Sequence, residues 1–353
     1  MKPAKWGPRS SFMKNINFRE WGILYALVIL WVLLFLTNAT FRQPSIYMSI
    51  LREASFSGIC GVGMTLCIAS KHFDQSIASM MAFLACVFTV LLGILPQSMG
   101  GAGIFAAVVI VVLLGSVLGF FNGVLVAKLR IPAFIATLGT MYVYRAMAFI
   151  VSDGSPVTIN QVVTAEQNSF FRYIGMGSLL GLPVPFWFMI ACTILGTVIL
   201  RRTRLGRQTL AIGNSVEASR ISGVNVDGVK IAIFTLVGIF VGIATIFNTA
   251  FLGSSNPGMS QGFEFVVIST VVLGGTSLAG GKGSMFTTMT ASIFLVTVTA
   301  GMNSFKMDSF AQRVVQGLIL LFAFSINGIR ALMEDAQIKS NAQKRARAAA
   351  GET

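Results

Sequence analysis

Long runs of apolar residues alternate with short polar segments along almost the whole chain. Each run approaches the roughly 20 residues that an α-helix needs to cross a bilayer core of about 30 Å. The pattern predicts an all-α, polytopic integral membrane protein with about ten transmembrane helices. The predicted spans are 21–37, 54–70, 77–95, 104–127, 134–151, 184–200, 231–252, 265–278, 285–301 and 310–326.

The third, eighth and ninth of these spans begin or end among glycine, serine or charged residues. Such boundaries are typical of broken or re-entrant helices as well as of plain ones. No segment between the spans is long enough to build a soluble core. We therefore expect an N-terminal segment 1–20, a transmembrane domain 21–328 that contains a polar loop 201–230, and a basic tail 329–353.

The composition excludes a water-soluble protein. Only 11% of the 353 residues are charged and 55% are hydrophobic, whereas soluble proteins carry about 25% charged residues. The net charge of +14 by itself permits nucleic acid or a membrane as partner. Ten alternating spans from a cytoplasmic N-terminus place 20 of the 26 Lys and Arg residues inside and five outside. This asymmetry predicts cytoplasmic N- and C-termini, with the lipid bilayer as partner and no nucleic acid.

Residues for catalysis are scarce. The chain has one histidine, His72, and four cysteines that all lie in apolar runs without metal-ligand spacing. Residues 280–284, with the sequence GGKGS, fail as a phosphate-binding loop because Thr276 and Gly283 stand where glycine and Ser or Thr are needed. We expect no enzyme activity, no cofactor and no metal, and ATP hydrolysis would have to come from a partner.

The loop 201–230 is the most polar segment in the chain. Asn214 and Ser215 are candidates to cap a short helix that Gly223 would end. The pattern alone leaves two interpretations open: a loop that only reports membrane orientation, or a lever that docks a cytoplasmic partner.

Four stretches, taken together, resemble bacterial ABC-transporter permeases of the ribose and monosaccharide type. They are the loop around 203–223, residues 131–140 followed by Arg145, residues 272–284, and the late span with Gln312 and Gly317. The resemblance covers most of the chain from residue 60 to residue 328. In the loop the agreement rests on Thr203, Gly206, Arg207, Ala211, Ile212, Gly213, Glu217, Ala218, Arg220, Ser222 and Gly223.

The resemblance implies the permease subunit of an ATP-driven importer in the bacterial inner membrane, working by alternating access. It implies two ABC ATPase copies on the cytoplasmic side, a second permease copy (the same chain or a related one), and a periplasmic sugar-binding protein. The expected cargo is a monosaccharide or sugar-like polyol. ATPase coupling is expected at Gly206, Arg207, Gly213, Asn214, Glu217, Ala218, Arg220, Ser222 and Gly223.

Two further sets of residues are candidates. Arg42, Arg52 and Arg172 on the predicted outer side could meet acidic groups of the binding protein. Polar residues within the spans could line the substrate pathway. These are Asp74, Asn122, Thr137, Thr140, Tyr144, Asn248, Ser269, Thr270 and Asn303.

The segment after the second span departs from the related pattern at His72, Gln75 and Ala78. Asp74 is retained, and a capping role at the start of the third span is favoured over contact with sugar. We expect His72, at the end of a span, to be solvated.

Glycines recur every four residues at 115, 119 and 123 and at 238 and 242. Such spacing allows helix backbones to approach closely, and packing within one chain is favoured over a permease dimer interface.

Two other functions stay open. One is a branched-chain amino acid ABC permease, which belongs to the same broad class. The other is an ion-coupled secondary transporter, against which the scarcity of carboxylates at membrane depth argues weakly.

Overall fold

The computed structural model describes residues 22–99, 101–322 and 324–325. The predicted segment 1–20 and tail 329–353 lie outside the described residues. The chain is mostly helical. Its helices are α1 Gly22–Thr37, α2 Pro44–Ala69, α3 Ile77–Met99, α4 Gly101–Ala127, α5 Ala133–Val151, α6 Ile159–Val162, α7 Ala165–Met176, α8 Val184–Arg202, α9 Arg204–Asn214, α10 Val216–Ile221, α11 Val226–Leu252, α12 Phe263–Leu273, α13 Met285–Ser304 and α14 Ser309–Phe322, with a 3-10 turn at Ala39–Arg42.

Within the described residues, six helices are long and apolar enough to cross a membrane: α3, α4, α5, α8, α11 and α13. The third and ninth predicted spans, α3 and α13, are therefore continuous helices. The eighth is shorter than a plain span, because α12 has 11 residues and ends at Leu273, which agrees with the broken or re-entrant alternative left open for it. A helix of that length rises about 16 Å, roughly half of a bilayer core.

Helix α2 forms the centre of the bundle. All of its residues from Ala54 to Ala69 are buried, and α8, α11, α12 and α13 pack around it. Because this stretch contains Gly58, Gly61 and Gly63, its neighbours approach closely. A Cβ at Gly63 would lie 2.8 Å from the Cα of Val237 in α11.

A seam of glycines joins α4 to α11. A Cβ at Gly115 would lie 2.5 Å from the carbonyl oxygen of Gly238, and one at Gly123 would lie 2.8 Å from the Cα of Ile231. Gly242 packs in the same way on the α4 backbone. The four-residue glycine spacing therefore serves packing within one chain, which confirms that interpretation.

The segments that join the helices gather at two ends of the bundle. We call them the 201–230 end, with residues 70–76, 128–132, 201–225 and 274–284, and the 152–183 end, with the segments around residues 38–43, 152–183, 253–262 and 305–308. At the 152–183 end two short antiparallel pairs occur. They are β1 Val157–Thr158 with β4 Ser254–Ser255, and β2 Ser178–Leu179 with β3 Leu182–Pro183.

Candidate functional site

The polar loop 201–230 folds into two short helices, α9 and α10. Thr203 begins α9, its hydroxyl oxygen accepting from the Gly206 N–H at 3.2 Å. Ser215 begins α10 in the same way, accepting from the Ala218 N–H at 3.2 Å. A single residue therefore separates the two helices, and the predicted short helix is confirmed.

Helix α10 ends in a Schellman motif. The Gly223 N–H donates to the carbonyl of Arg220 and the Val224 N–H to that of Ser219, both at 3.0 Å. Gly223 has a φ of 81°, which glycine adopts without the steric conflict of a Cβ. These bonds fix both ends of a helix of only six residues.

The outer face of α10 is solvent-exposed and mixed in character. Glu217, Ala218 and Arg220 are exposed, and the apolar side chain of Ile221 is 80% exposed. A large aliphatic side chain flanked by two opposite charges, on a rigidly capped helix, has the form of a plug for a groove on another protein.

The other predicted coupling residues divide into exposed and buried groups. Arg207, Asn214, Ser222 and Gly223 are exposed, while Gly206 and Gly213 are buried. Gly206 packs on the carbonyls that end α8, and Gly213 packs on Ala69 and Gly281. These two glycines therefore pack on the inner side of the segment, and the exposed residues next to them form the surface that a partner could contact.

A buried polar network occupies the 201–230 end of α3, α4 and α5. An Asp74 carboxylate oxygen accepts from both the N–H (2.8 Å) and the hydroxyl (2.6 Å) of Ser76. The Asn122 amide donates to the other Asp74 oxygen at 3.3 Å and to the Ser76 hydroxyl at 2.8 Å. Asp74 thus closes the turn just before α3, close to the capping role expected from sequence.

Tyr144 and Thr137 extend this network into α5. The Tyr144 hydroxyl donates to the Asn122 side-chain oxygen at 3.0 Å, and the Thr137 hydroxyl oxygen accepts from the Gln75 N–H at 3.0 Å. Thr140 lies one turn further along and is also buried. Five of the predicted pathway residues therefore lie close together, at hydrogen-bonded positions inside the bundle.

Sequence reasoning did not single out Ser76, which bonds both Asp74 and Asn122. Its only signal in the sequence was its position two residues after an aspartate at a helix start, the pattern of an Asx turn.

A cavity of about 590 Å³ opens between α12, α13 and α14. Ser269 of α12 lines it, and Thr299 of α13 and Gln316 of α14 supply further polar groups. Most of the remaining wall is apolar. The cavity-lining residues are Ser260, Gln261, Gly262, Phe263, Phe265, Val266, Ser269, Leu295, Val296, Val298, Thr299, Arg313, Gln316, Gly317, Ile319 and Leu320.

The other predicted pathway residues do not line this cavity. Thr270 is buried and donates to the carbonyl of Val266. Asn248 faces the sulfur of Met81. Asn303 is exposed in the last turn of α13, where its side-chain oxygen accepts from Gln312 at 2.7 Å.

The three arginines proposed to meet a binding protein differ in environment. Arg42 donates to the carbonyl of Phe35 near the end of α1. Arg52 donates to the carbonyl of Met176 at 2.8 Å, at the end of α7. Arg172 lies exposed on α7.

The environment of His72 contradicts the expectation of a solvated side chain. The ring is only partly accessible, lies 6.2 Å from that of Phe234, and has its Nδ1 3.1 Å from the Ser70 hydroxyl. Burial, with a smaller contribution from the Lys230 ammonium, lowers the pKa of His72 to about 4. The ring is therefore neutral at pH 7.

Arg145 holds the segment that leads into α12. One of its guanidinium nitrogens donates to the carbonyls of Pro257 and Met259, both at 2.7 Å. A charged group inside a span thus compensates for carbonyls in an irregular segment, as backbone at membrane depth requires.

These features define a polytopic α-helical membrane protein that presents a capped, exposed helix at one end. The chain belongs to the family described as the permease component of the branched-chain amino acid transport system, which matches residues 46–324.

Several curated proteins are similar over most of their length. L-arabinose transport system permease protein AraH of Escherichia coli strain K12 is 39% identical over 90% of this chain and 92% of its own. Ribose import permease protein RbsC of the same strain is 34% identical over 86% and 92%. RbsC of Bacillus subtilis strain 168 is 32% identical over 88% and 94%. No solved structure matches the chain.

Proposed function

We propose that this chain is the transmembrane permease subunit of an ATP-driven importer for a monosaccharide or a sugar-like polyol. The observation that carries the proposal is α10, a capped helix that exposes Ile221 between charged residues in a chain of membrane helices. A non-catalytic permease needs such a surface to receive movement from a separate ATPase.

The names of the relatives favour a sugar. The family is described by branched-chain amino acids, but the relatives reported above are named for L-arabinose and ribose. Membership in this family also disfavours the ion-coupled transporter.

The finer arrangement is part of the proposal. About ten spans in an inner membrane, with both termini cytoplasmic, would place the 201–230 end in the cytoplasm. Two ATPase copies would dock there, a second permease copy would complete the pathway, and a periplasmic sugar-binding protein would deliver cargo at the 152–183 end. The cavity beside Ser269 is then the best candidate for part of the pathway.

The buried network around Asp74 has a different proposed role. Its polar groups bond one another, so in this conformation it stabilises the contact of α3, α4 and α5. We assign contact with sugar first to Ser269, and to the network only in a conformation that separates these helices.

Docking of the ATPase is tested with two matched variants. Ile221→Ser removes the exposed aliphatic side chain of α10, and Leu180→Ser removes one that is 84% exposed at the 152–183 end. We expect co-purification of the ATPase subunit to fall at least tenfold for Ile221→Ser and to stay within twofold for Leu180→Ser. Equal retention by both variants would contradict docking through α10.

Cargo and energy source are tested by uptake in proteoliposomes that contain the full complex. We expect uptake of radiolabelled ribose or L-arabinose that requires internal ATP and persists after a proton ionophore. Uptake of leucine but of neither sugar would establish the amino acid alternative, and loss of uptake with the ionophore alone would establish ion coupling.

Encounter with the binding protein is tested at Arg172. Because Arg42 and Arg52 each bond to carbonyls of this chain, Arg172 is the most available of the three. We expect Arg172→Glu to slow binding-protein association at low salt, with a smaller effect at high salt. An unchanged association rate would remove Arg172 from the docking surface.

A further inference from the structure

Three segments of the chain meet backbone to backbone at the 201–230 end. The Gly281 N–H donates to the carbonyl of Ala69, the last residue of α2, at 2.8 Å. A Cβ at Gly280 would lie 2.6 Å from the carbonyl oxygen of Gly213. A Cβ at Gly213 would overlap both Ala69 O and Gly281 N. We call Ala69, Gly213, Gly280 and Gly281 the glycine junction.

On one side the junction is continuous with the exposed helix α10. Gly213 is the penultimate residue of α9, and only Ser215 separates α9 from α10. The Ser215 N–H still donates to the carbonyl of Ala211 at 3.0 Å. A displacement of α10 must therefore carry Gly213 with it, because no flexible linker lies between them.

On the other side the junction belongs to the turn 274–284 between α12 and α13. Gly280 and Gly281 have φ values of 79° and 73°, so a side chain at either position would be strained. The turn is braced internally, since the Gly280 N–H donates to the carbonyl of Ser277 at 2.9 Å. Its first glycine, Gly274, packs against the Thr288 backbone in α13.

The helices on either side of this turn form two walls of the cavity. Ser269 lies on α12, five residues before Gly274, and Thr299 lies on α13. Helix α8, which also adjoins α9, contributes no residue to the cavity lining. The turn 274–284 therefore gives a direct backbone route from α10 to both walls of the cavity, beside the packing of α2 on α12 and α13 and of α8 on α13.

We propose that the glycine junction transmits movement of α10 to the α12–α13 wall of the cavity, with Gly213 and Gly281 as positioning residues. The inference rests on the proposed function, because it assumes an ATPase at α10 and cargo at the cavity. The junction stays closed through the transport cycle, so α9, the end of α2 and the turn move as one unit.

The first test measures sugar moved per ATP hydrolysed in proteoliposomes. Gly213→Ala places a methyl group against the backbone of Ala69 and Gly281, and backbone atoms cannot move aside as a flexible side chain can. We expect the ATPase subunit to co-purify normally and to hydrolyse ATP within about threefold of wild type, while sugar moved per ATP falls at least tenfold.

The matched control is Gly139→Ala in α5, another helical glycine, where an added Cβ meets nothing within 4 Å. The amount of sugar that Gly139→Ala moves per ATP hydrolysed should stay within twofold of wild type. A wild-type ratio in Gly213→Ala would overturn the proposal. Loss of ATPase association would overturn it as well, since the junction would then shape the docking helix instead of transmitting its movement.

A second variant tests the junction without adding bulk to it. The Lys71 ammonium lies 3.5 Å from the carbonyl oxygen of Asn214. Cysteines at both positions, each joined through a disulfide to a short bis-thiosulfonate linker with loss of sulfinate, would tether the end of α2 to the end of α9 in a way that reduction reverses. Reagent-treated wild type is the control, because the four native cysteines are buried.

We expect the tethered transporter to retain uptake within twofold, because the tethered parts already move together. A block of uptake that reduction reverses would overturn the proposal, whatever the folding of Gly213→Ala. Failure of the proposed function has a different signature: the wild-type complex itself would show no ATP-dependent sugar uptake.

Discussion

The molecule uses glycine-to-backbone contact in two regions with different consequences. In the α4–α11 seam, glycines recur along two helices of 27 residues each, so the contact extends over several turns. At the glycine junction, segments from three parts of the chain touch at one place. An extended contact prevents relative rotation of its helices, whereas a local one joins segments that can move together. Glycine packed against backbone thus holds two helices fixed in the seam, whereas at the junction it transmits movement of α10.

The largest expected effect is on the seam. At Gly119 an added Cβ would overlap the carbonyl oxygen of Phe234 in α11, and the backbone there has no room to yield. Gly119→Val should lower stability by at least the 1–3 kcal/mol or so typical of overpacking. The amount of protein in the membrane and the melting temperature in detergent should both drop sharply. A melting temperature close to wild type would contradict a rigid seam.

Next in size is the buried network that adjoins the seam. Asn122→Leu leaves an Asp74 oxygen and the Tyr144 hydroxyl with fewer partners, at an expected loss of about 1–3 kcal/mol. Asn248→Leu is the control, because among the described residues the Asn248 amide donates to the weak acceptor sulfur of Met81. Thermal unfolding should separate the two variants clearly, and equal losses would show that the network adds nothing specific.

A smaller, pH-dependent effect is expected beside the junction at His72. The pKa of His72 is lowered from 6.5 to about 4 in the folded chain. Below pH 6.5 or so the unfolded chain therefore binds a proton that the folded chain does not. The contribution of neutral His72 to the free energy of unfolding is therefore fully present above about pH 6.5 and is lost as the pH falls toward 4. Between pH 7.5 and 5 the melting temperature of His72→Gln should fall less than that of wild type. Equal falls in the two proteins would contradict a lowered pKa for His72.

The smallest effect is expected at Gly139, a helical glycine outside both regions. Alanine is about 1 kcal/mol more favourable than glycine in a helix interior, and the site offers open space. Gly139→Ala should leave the melting temperature unchanged or slightly raised. A marked loss would mean that glycine packing in this protein extends beyond the seam and the junction.

Several features followed from local pattern because their causes are local. The apolar runs predict membrane-crossing helices, and six of them form helices long and apolar enough to cross a membrane. Helix α10 begins after Ser215 and ends before Gly223, as the capping preferences of serine and glycine predict. The eighth predicted span, 265–278, extended past the end of α12, because Gly274 and Gly275 end that helix after Leu273.

The candidate site was less accessible from sequence. Asp74, Asn122 and Tyr144 were recognised as polar residues within or beside spans, but the facing of a helix that is apolar throughout leaves no periodic signal. Their hydrogen bonds to one another, and the burial of His72, depend on which helices become neighbours.

The sequence by itself determined a polytopic helical membrane protein, the capped helix in the loop 201–230 and the family, because apolar runs, capping residues and motifs do not depend on which helices become neighbours. Only the tertiary structure decided that Gly213 faces inward, that Gly280 and Gly281 meet it, and that α12 and α13 border a cavity. The contacts of the glycine junction join residues about 70 to 210 positions apart, such as Gly213 and Ala69 with Gly281. Such contacts form only when the whole bundle packs.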